Sequence, residues 1–206
     1  MQSVRAMVAV AAILFSLSGS SKASEVALSA LTSAQQYHLR LHHLHTGEDI
    51  DVVYRVGNTY LPAGLEKLNY FLRDHRTQNE SNYDPKEFDL LHALMTRLGR
   101  PDGVIDIVCG YRTPWSNNLL RRGSASSGVA EHSQHMLAKA IDIRVPGVAT
   151  AKLRDAALSL HGGGVGYYPA SQFVHVDVGP EREWSFGRIP RRVGRRAHGA
   201  RVSSGE

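Results

Sequence analysis

The sequence predicts an α+β domain, a sheet packed by helices, and three observations carry that prediction. Apolar residues alternate with polar ones over 140–145 and 173–178, leucines recur at helical spacing over 61–75 and 84–99, and turn signals separate the two kinds of segment. At 206 residues the chain suffices for a single domain whose core needs no covalent staples.

The two ends fall outside that domain. Arg5 precedes the apolar stretch 8–17, and Ser21, Lys22 and Ala23 follow it, the pattern of a secretory signal cleaved after Ala23. The apolar run is short for a membrane anchor, which needs about 20 residues. Of the net charge of +5, residues 1–23 carry +2 and the segment from Arg188 carries +5, which leaves −2 for residues 24–187. The body is therefore no nucleic-acid binder by charge. The segment 188–206, with Arg191, Arg192, Arg195, Arg196 and Arg201 among glycine, serine and alanine, lacks apolar periodicity and reads as a disordered basic tail, solvated or adhering to anionic wall polymers or lipid headgroups.

Along the body, Tyr37, Leu39 and Leu41 alternate with His38, Arg40 and His42, a strand that runs into a turn at Gly47. His38, His42, His43 and His45 are expected to be exposed on strand faces, since no carboxylate or cysteine accompanies them at ligand spacing. Leu61, Leu65, Leu68 and Leu72 predict a helix with Pro62 in its first turn. A second helix has Asp84 as N-cap, Pro85 at its first position, Leu91, Leu94 and Leu98 on one face, and Gly99 as terminator. The apolar run 104–109 is a strand ending at Cys109, the single cysteine, read as a buried thiol with no activating base nearby in sequence. Thr113 then caps a helix that opens at Pro114 and passes Asn117 and Leu120. This leaves Arg112 at a strand-to-helix junction, where scaffolds present functional groups. Residues 121–133, rich in serine and glycine, read as a mobile segment delivering His135. A helix over 150–160 leads to residues 162–169, read as a glycine-rich turn that lacks the spacing and lysine of a phosphate loop. Trp184 is expected in the core.

The two alternating runs hold the chemistry. Ile141, Ile143 and Val145 share one face, and Asp142 and Arg144 share the other; Val174, Val176 and Val178 oppose His175 and Asp177 in the same way. If the strands pair, they build a polar floor over an apolar layer. With His135 close upstream, two imidazoles and one carboxylate suit a catalytic zinc, because three protein ligands leave the fourth tetrahedral position to water. The competing reading pairs Asp142 with Arg144 or a distant lysine and leaves His175 as a satisfied core histidine.

The motifs resemble a known family. SQHMLAKAID resembles the Ser-x-His-x-x-Gly-x-Ala-x-Asp signature of zinc peptidases of the hedgehog/D-Ala-D-Ala peptidase superfamily, and GYRTPWSN resembles their Gly-Tyr-Arg-Ser-x-x-x-Asn region. Within it, GVAEHSQH, GGVGYYP and FVHVD are similar to segments of the periplasmic murein endopeptidase K group, over roughly residues 38–185. The resemblance implies a central, mostly antiparallel sheet, zinc held by His135, Asp142 and His175, and a periplasmic enzyme cutting peptidoglycan stem-peptide cross-links. It also implies that Arg112 and Asn117 hold the peptide's carboxylate or backbone. Ser133 is a further candidate for substrate binding, and the amphipathic rings of Tyr167 and Tyr168 either line a substrate groove or pack in the fold. The near alternatives to that enzyme are a D-alanyl carboxypeptidase and a non-catalytic, metal-stabilised wall-binding module. Two departures matter. Ala138 stands where glycine is usual, and Gln172, three residues before His175, cannot serve as a base where many relatives have an acid. Asp177, sharing a strand face with His175, is the candidate base or the carboxylate orienting that ligand; Glu131 and His132 are further candidates.

Overall fold

A computed structural model describes residues 35–123 and 129–187. The expected signal segment 1–23, the tail 188–206 and part of the Ser/Gly segment lie outside those residues. Strands β1 (Gln36–His43) and β2 (Asp49–Val56) form a hairpin through Gly47, whose φ of 72° suits a residue without a side chain, and β3 (Thr59–Tyr60) extends it. Helix α1 (Pro62–Phe71) packs on β2, so closely that a Cβ on Gly64 would lie 2.4 Å from the Val53 carbonyl. Then come α2 (Pro85–Arg97), β4 (Val104–Cys109), α3 (Pro114–Arg122), a 3-10 turn (Gln134–Leu137), β5 (Ala140–Arg144), α4 (Thr150–Leu158), β6 (Gly164–Tyr168), β7 (Phe173–Asp177) and β8 (Arg182–Ser185).

The strands form one eight-stranded sheet in the order β3-β2-β1-β4-β5-β7-β6-β8. All pairings are antiparallel except β1 with β4 and β6 with β8, which agrees with the expected α+β class and mostly antiparallel sheet. One face is apolar. Leu39, Leu41, Ile105, Ile107, Ile141, Ile143, Val174 and Val176 form a single buried cluster with Leu68 of α1, Leu91 and Leu94 of α2 and Leu153 of α4. The second predicted helix is as expected: the Asp84 carboxylate accepts from the Lys86 amide at 3.1 Å, and Gly99 has a φ of 71°.

Four expectations change. The first helix stops at Phe71 instead of running to 75, because Leu72 and Asp74 turn away to accept hydrogen bonds from Tyr111 and Thr113 of the β4–α3 junction. His43 is buried, continuing the inward alternation of Leu39 and Leu41, with its ring edge-on to Phe71 and its Nδ1 accepting from the His45 and Thr46 amides. His38 and His42 do face outward, but each contacts an aspartate, Asp102 and Asp49 respectively. Finally, 164–168 is no turn but strand β6, whose glycines are explained by the site it borders.

Glu87 is the misfit of the core. It is fully buried, and neither carboxyl oxygen has a hydrogen-bond partner among the described residues. Burial, with the nearby charge of Asp177, pushes its pKa well above the usual carboxylate range, so the folded chain holds a proton that the unfolded chain releases. Its contribution is complete below the unfolded value of about 4.3 and is lost as pH rises, at about 1.4 kcal/mol per pH unit. Denaturant titrations of wild type and Glu87→Gln between pH 4.5 and 8 should therefore diverge, the variant gaining relative stability with pH; parallel curves would contradict a protonated Glu87.

A three-donor centre in an aromatic-walled groove

Pairing between β5 and β7 sets Asp142 directly opposite His175, both on the face away from the helices. His135 reaches the same point from the 3-10 turn. Ser133 caps that turn, its hydroxyl accepting from the His135 amide at 3.3 Å, and Ala138 closes it at a φ of 50°. This is the left-handed geometry that makes glycine usual there. An alanine costs about 1–2 kcal/mol in that conformation, offset by the stiffer unfolded chain and a buried methyl, together worth about the same.

Three atoms converge. His135 Nε2 lies 3.2 Å from Asp142 Oδ1 and 3.1 Å from His175 Nδ1, and His175 Nδ1 lies 2.8 Å from Asp142 Oδ1. The other nitrogen of each imidazole is committed: His135 Nδ1 donates to the Gly110 carbonyl at 2.8 Å, and His175 Nε2 donates to Asp177 Oδ2 at 3.0 Å. With each imidazole neutral, its single N–H is the outward one, and the inner His135 Nε2 and His175 Nδ1 present lone pairs beside Asp142 Oδ1. Such a cluster calls for a cation. The triangle lies slightly inside the ~3.3 Å ligand–ligand edges that a tetrahedral metal with bonds near 2.0 Å would impose, so these side chains fit a metal with only a small outward adjustment.

The electrostatics agree. Burial lowers the His135 pKa to about 4, keeping it neutral and able to ligate. Burial works to raise the Asp142 carboxyl, but the charge and hydrogen bonds of His135 and His175 outweigh it and hold Asp142 far below the usual range. For His175, hydrogen bonds to Asp142 and Asp177 overcome burial and raise the pKa, the mark of a site that favours positive charge.

Asp177 is completely buried on the outer side of the His175 ring. Its oxygens accept from the Gly164 and Gly179 amides and from the Arg182 guanidinium as well as from His175. Of its two anticipated roles, this geometry is that of the orienting carboxylate. Asp177→Asn should weaken metal affinity by about 10–100-fold with the fold intact, read by chelator competition with circular dichroism as control.

Above the donors lies a groove of about 840 Å³. One wall holds Arg112, His132, Ser133 and Gln134; the other is aromatic, with Tyr168, Phe173, Trp184 and Phe186. Arg112 is buried, and its guanidinium donates to the Ser133 hydroxyl at 3.2 Å. No ion pair among the described residues neutralises it, and its Nε has no partner there. Trp184 is half-buried rather than core: its indole N–H donates to the Tyr168 hydroxyl at 3.0 Å and its ring centre lies 5.1 Å from that of His175. The β6 glycines make room for this wall. A Cβ at Gly166 would lie 2.6 Å from the indole, and one at Gly164 would lie 2.4 Å from Asp177 Oδ2.

Other anticipated residues sit elsewhere. Asn117 is buried outside the groove, its amide donating to the Ala130 carbonyl at 3.0 Å, so it braces the groove rim. Tyr167 faces the helix side under Arg154, and it is the neighbouring Tyr168 that lines the groove. Glu131 is exposed and pairs with Arg121. His132 does line the groove. Phe173 and Trp184 went unread as lining residues, although the two-residue period from His175 places Phe173 on its face.

Comparison with known proteins identifies the family. A family model described as peptidoglycan L,D-endopeptidase MepK matches residues 31–184. The chain is 42% identical over 158 residues to peptidoglycan L,D-endopeptidase MepK of Escherichia coli K12, covering 77% of this chain and 85% of that protein. It is 42% identical over 146 residues to probable peptidoglycan L,D-endopeptidase MepK of Haemophilus influenzae, covering 71% of this chain and 77% of that one. No solved structure matches. A family model that spans most of the chain and this extended sequence identity place it in one group: it belongs to the MepK family of peptidases.

Proposed function

We propose that this chain is a zinc-dependent murein endopeptidase that hydrolyses peptide cross-links of peptidoglycan in the periplasm. The observation that carries the reading is the convergence of His135 Nε2, Asp142 Oδ1 and His175 Nδ1 within 2.8–3.2 Å of one another. Relatives named as L,D-endopeptidases support the substrate class. Zinc bound to these three atoms would polarise the scissile carbonyl and bring the pKa of water toward ~7.

The chain's own groups do the rest. Arg112, buried and without a carboxylate partner among the described residues, supplies positive charge to the developing oxyanion or to a substrate carboxylate. Asp177 keeps the His175 proton on Nε2, which leaves Nδ1 free to ligate. His132, on the groove wall and not engaged in the donor cluster, is the side chain we assign to proton transfer. The aromatic wall gives the stem peptide an apolar surface and limits water.

Purified protein incubated with cross-linked muropeptides, with and without chelator, tests the reading. Monomeric products that vanish on chelation support it. Released D-alanine would instead point to a carboxypeptidase, and binding without cleavage to a wall-binding module. Substrates joined by L,D bonds should be cut in preference to those joined by D,D bonds.

A further inference from the structure

Cys109 has a position that its own strand would not give it. Its register with β5 pairs Ile107 with Ile143 and then Cys109 with Asp142, with one extra residue between them on β4. Without that bulge Cys109 would follow Ile105 and Ile107 into the helix-packed core, and Val108 would oppose Asp142. The bulge re-aims the side chain, as bulges beside active sites do. As a result the Cys109 sulfur, an imidazole nitrogen of His135 and a carboxylate oxygen of Asp142 all lie within 4.8 Å of one another. The thiol's hydrogen bond is a weak one, 3.6 Å to the Gly110 carbonyl, the same oxygen that orients the His135 ring. Cys109 is not among the residues that line the groove.

We propose that Cys109 is a latent sulfur ligand of this centre, engaged by thiophilic cations such as cadmium, which would bind His135, Asp142 and Cys109 together. The inference rests on the metal-centre reading above. Soft thiolate ligands favour soft ions, whereas the imidazole and carboxylate donors alone discriminate little. On binding, sulfur gives a lone pair to the ion and the thiol proton passes to solvent; nothing is oxidised or reduced. A cation seated in this way has sulfur as its third ligand, and the centre becomes susceptible to soft metals through a residue that takes no part in hydrolysis.

The test uses the full chain, first assayed for bound zinc and then titrated with cadmium while the near-ultraviolet sulfur-to-metal charge-transfer absorption is followed. Wild type should develop this absorption at one equivalent, Cys109→Ser should not, and cadmium should bind the serine variant at least about tenfold more weakly, the smallest loss that even indirect ligand changes cause. His135→Ala should also lose the absorption. Stoichiometric cadmium binding by wild type without the absorption, or an absorption that survives in His135→Ala, overturns the proposal. Zinc retained by wild type in that case leaves the centre standing; failure to hold either ion overturns both readings together.

Discussion

His135→Ala should abolish metal content and hydrolysis together. The variant removes one of three converging lone pairs and the ring that the Gly110 carbonyl orients. A metal's polarisation of a carbonyl is worth several kcal/mol, and about 1.4 kcal/mol is a factor of ten, so kcat/KM should fall by at least about a thousandfold. The loss should be chemical, not structural, because the sheet beneath is held by apolar contacts that His135 does not make. Circular dichroism and metal analysis on the same preparation check both halves. Asp142→Asn should behave alike; hydrolysis retained in either variant would refute the ligand assignment.

Arg112→Ala should cost about 10²–10³ in kcat/KM while metal content stays at the wild-type level. The guanidinium lines the groove beside Ser133 and is no ligand. How the loss divides identifies its role: a fall in kcat marks stabilisation of the transition state, and a rise in KM with kcat preserved marks anchoring of a substrate carboxylate. Arg112→Lys keeps the charge but not the fork of donors, and should recover only part of the activity. Loss of metal from the alanine variant would show that Arg112 acts on the centre itself.

Much of the site was legible because its two strands obey a period of two. Alternation placed Asp142 beside Arg144 and His175 beside Asp177 on the polar face, and the observed β5–β7 register sets Asp142 opposite His175. The capped helix at Asp84–Pro85 and the junction at Thr113–Pro114 were equally plain, since cap and proline chemistry is local. What could not be read depends on partners distant in sequence. The β6 segment looks like a turn because glycines usually make turns, and only Trp184 and Asp177 reveal why a strand needs them. Asp177 reads equally as base or orienter from its strand alone, and the contacts with Arg182 and two backbone amides that favour the second come from residues outside that strand. His43 followed the inward period of β1, but four histidines in a short span masked the pattern. The bulge that turns Cys109 toward Asp142 leaves no signature in a run of apolar residues.

The contact between Trp184 and His175 also turns the groove into an optical instrument. The chain has two tryptophans, and Trp115 is 60% exposed while Trp184 is held between β6, Arg182 and a ring of the donor cluster. In a Trp115→Phe background, the remaining indole emission would report on a single site, responding to charge on the neighbouring imidazole. Titrating that protein with metal should change its fluorescence in step with occupancy, and adding muropeptide should change it again as the wall is covered. Binding and turnover would then be timed separately, with no label attached.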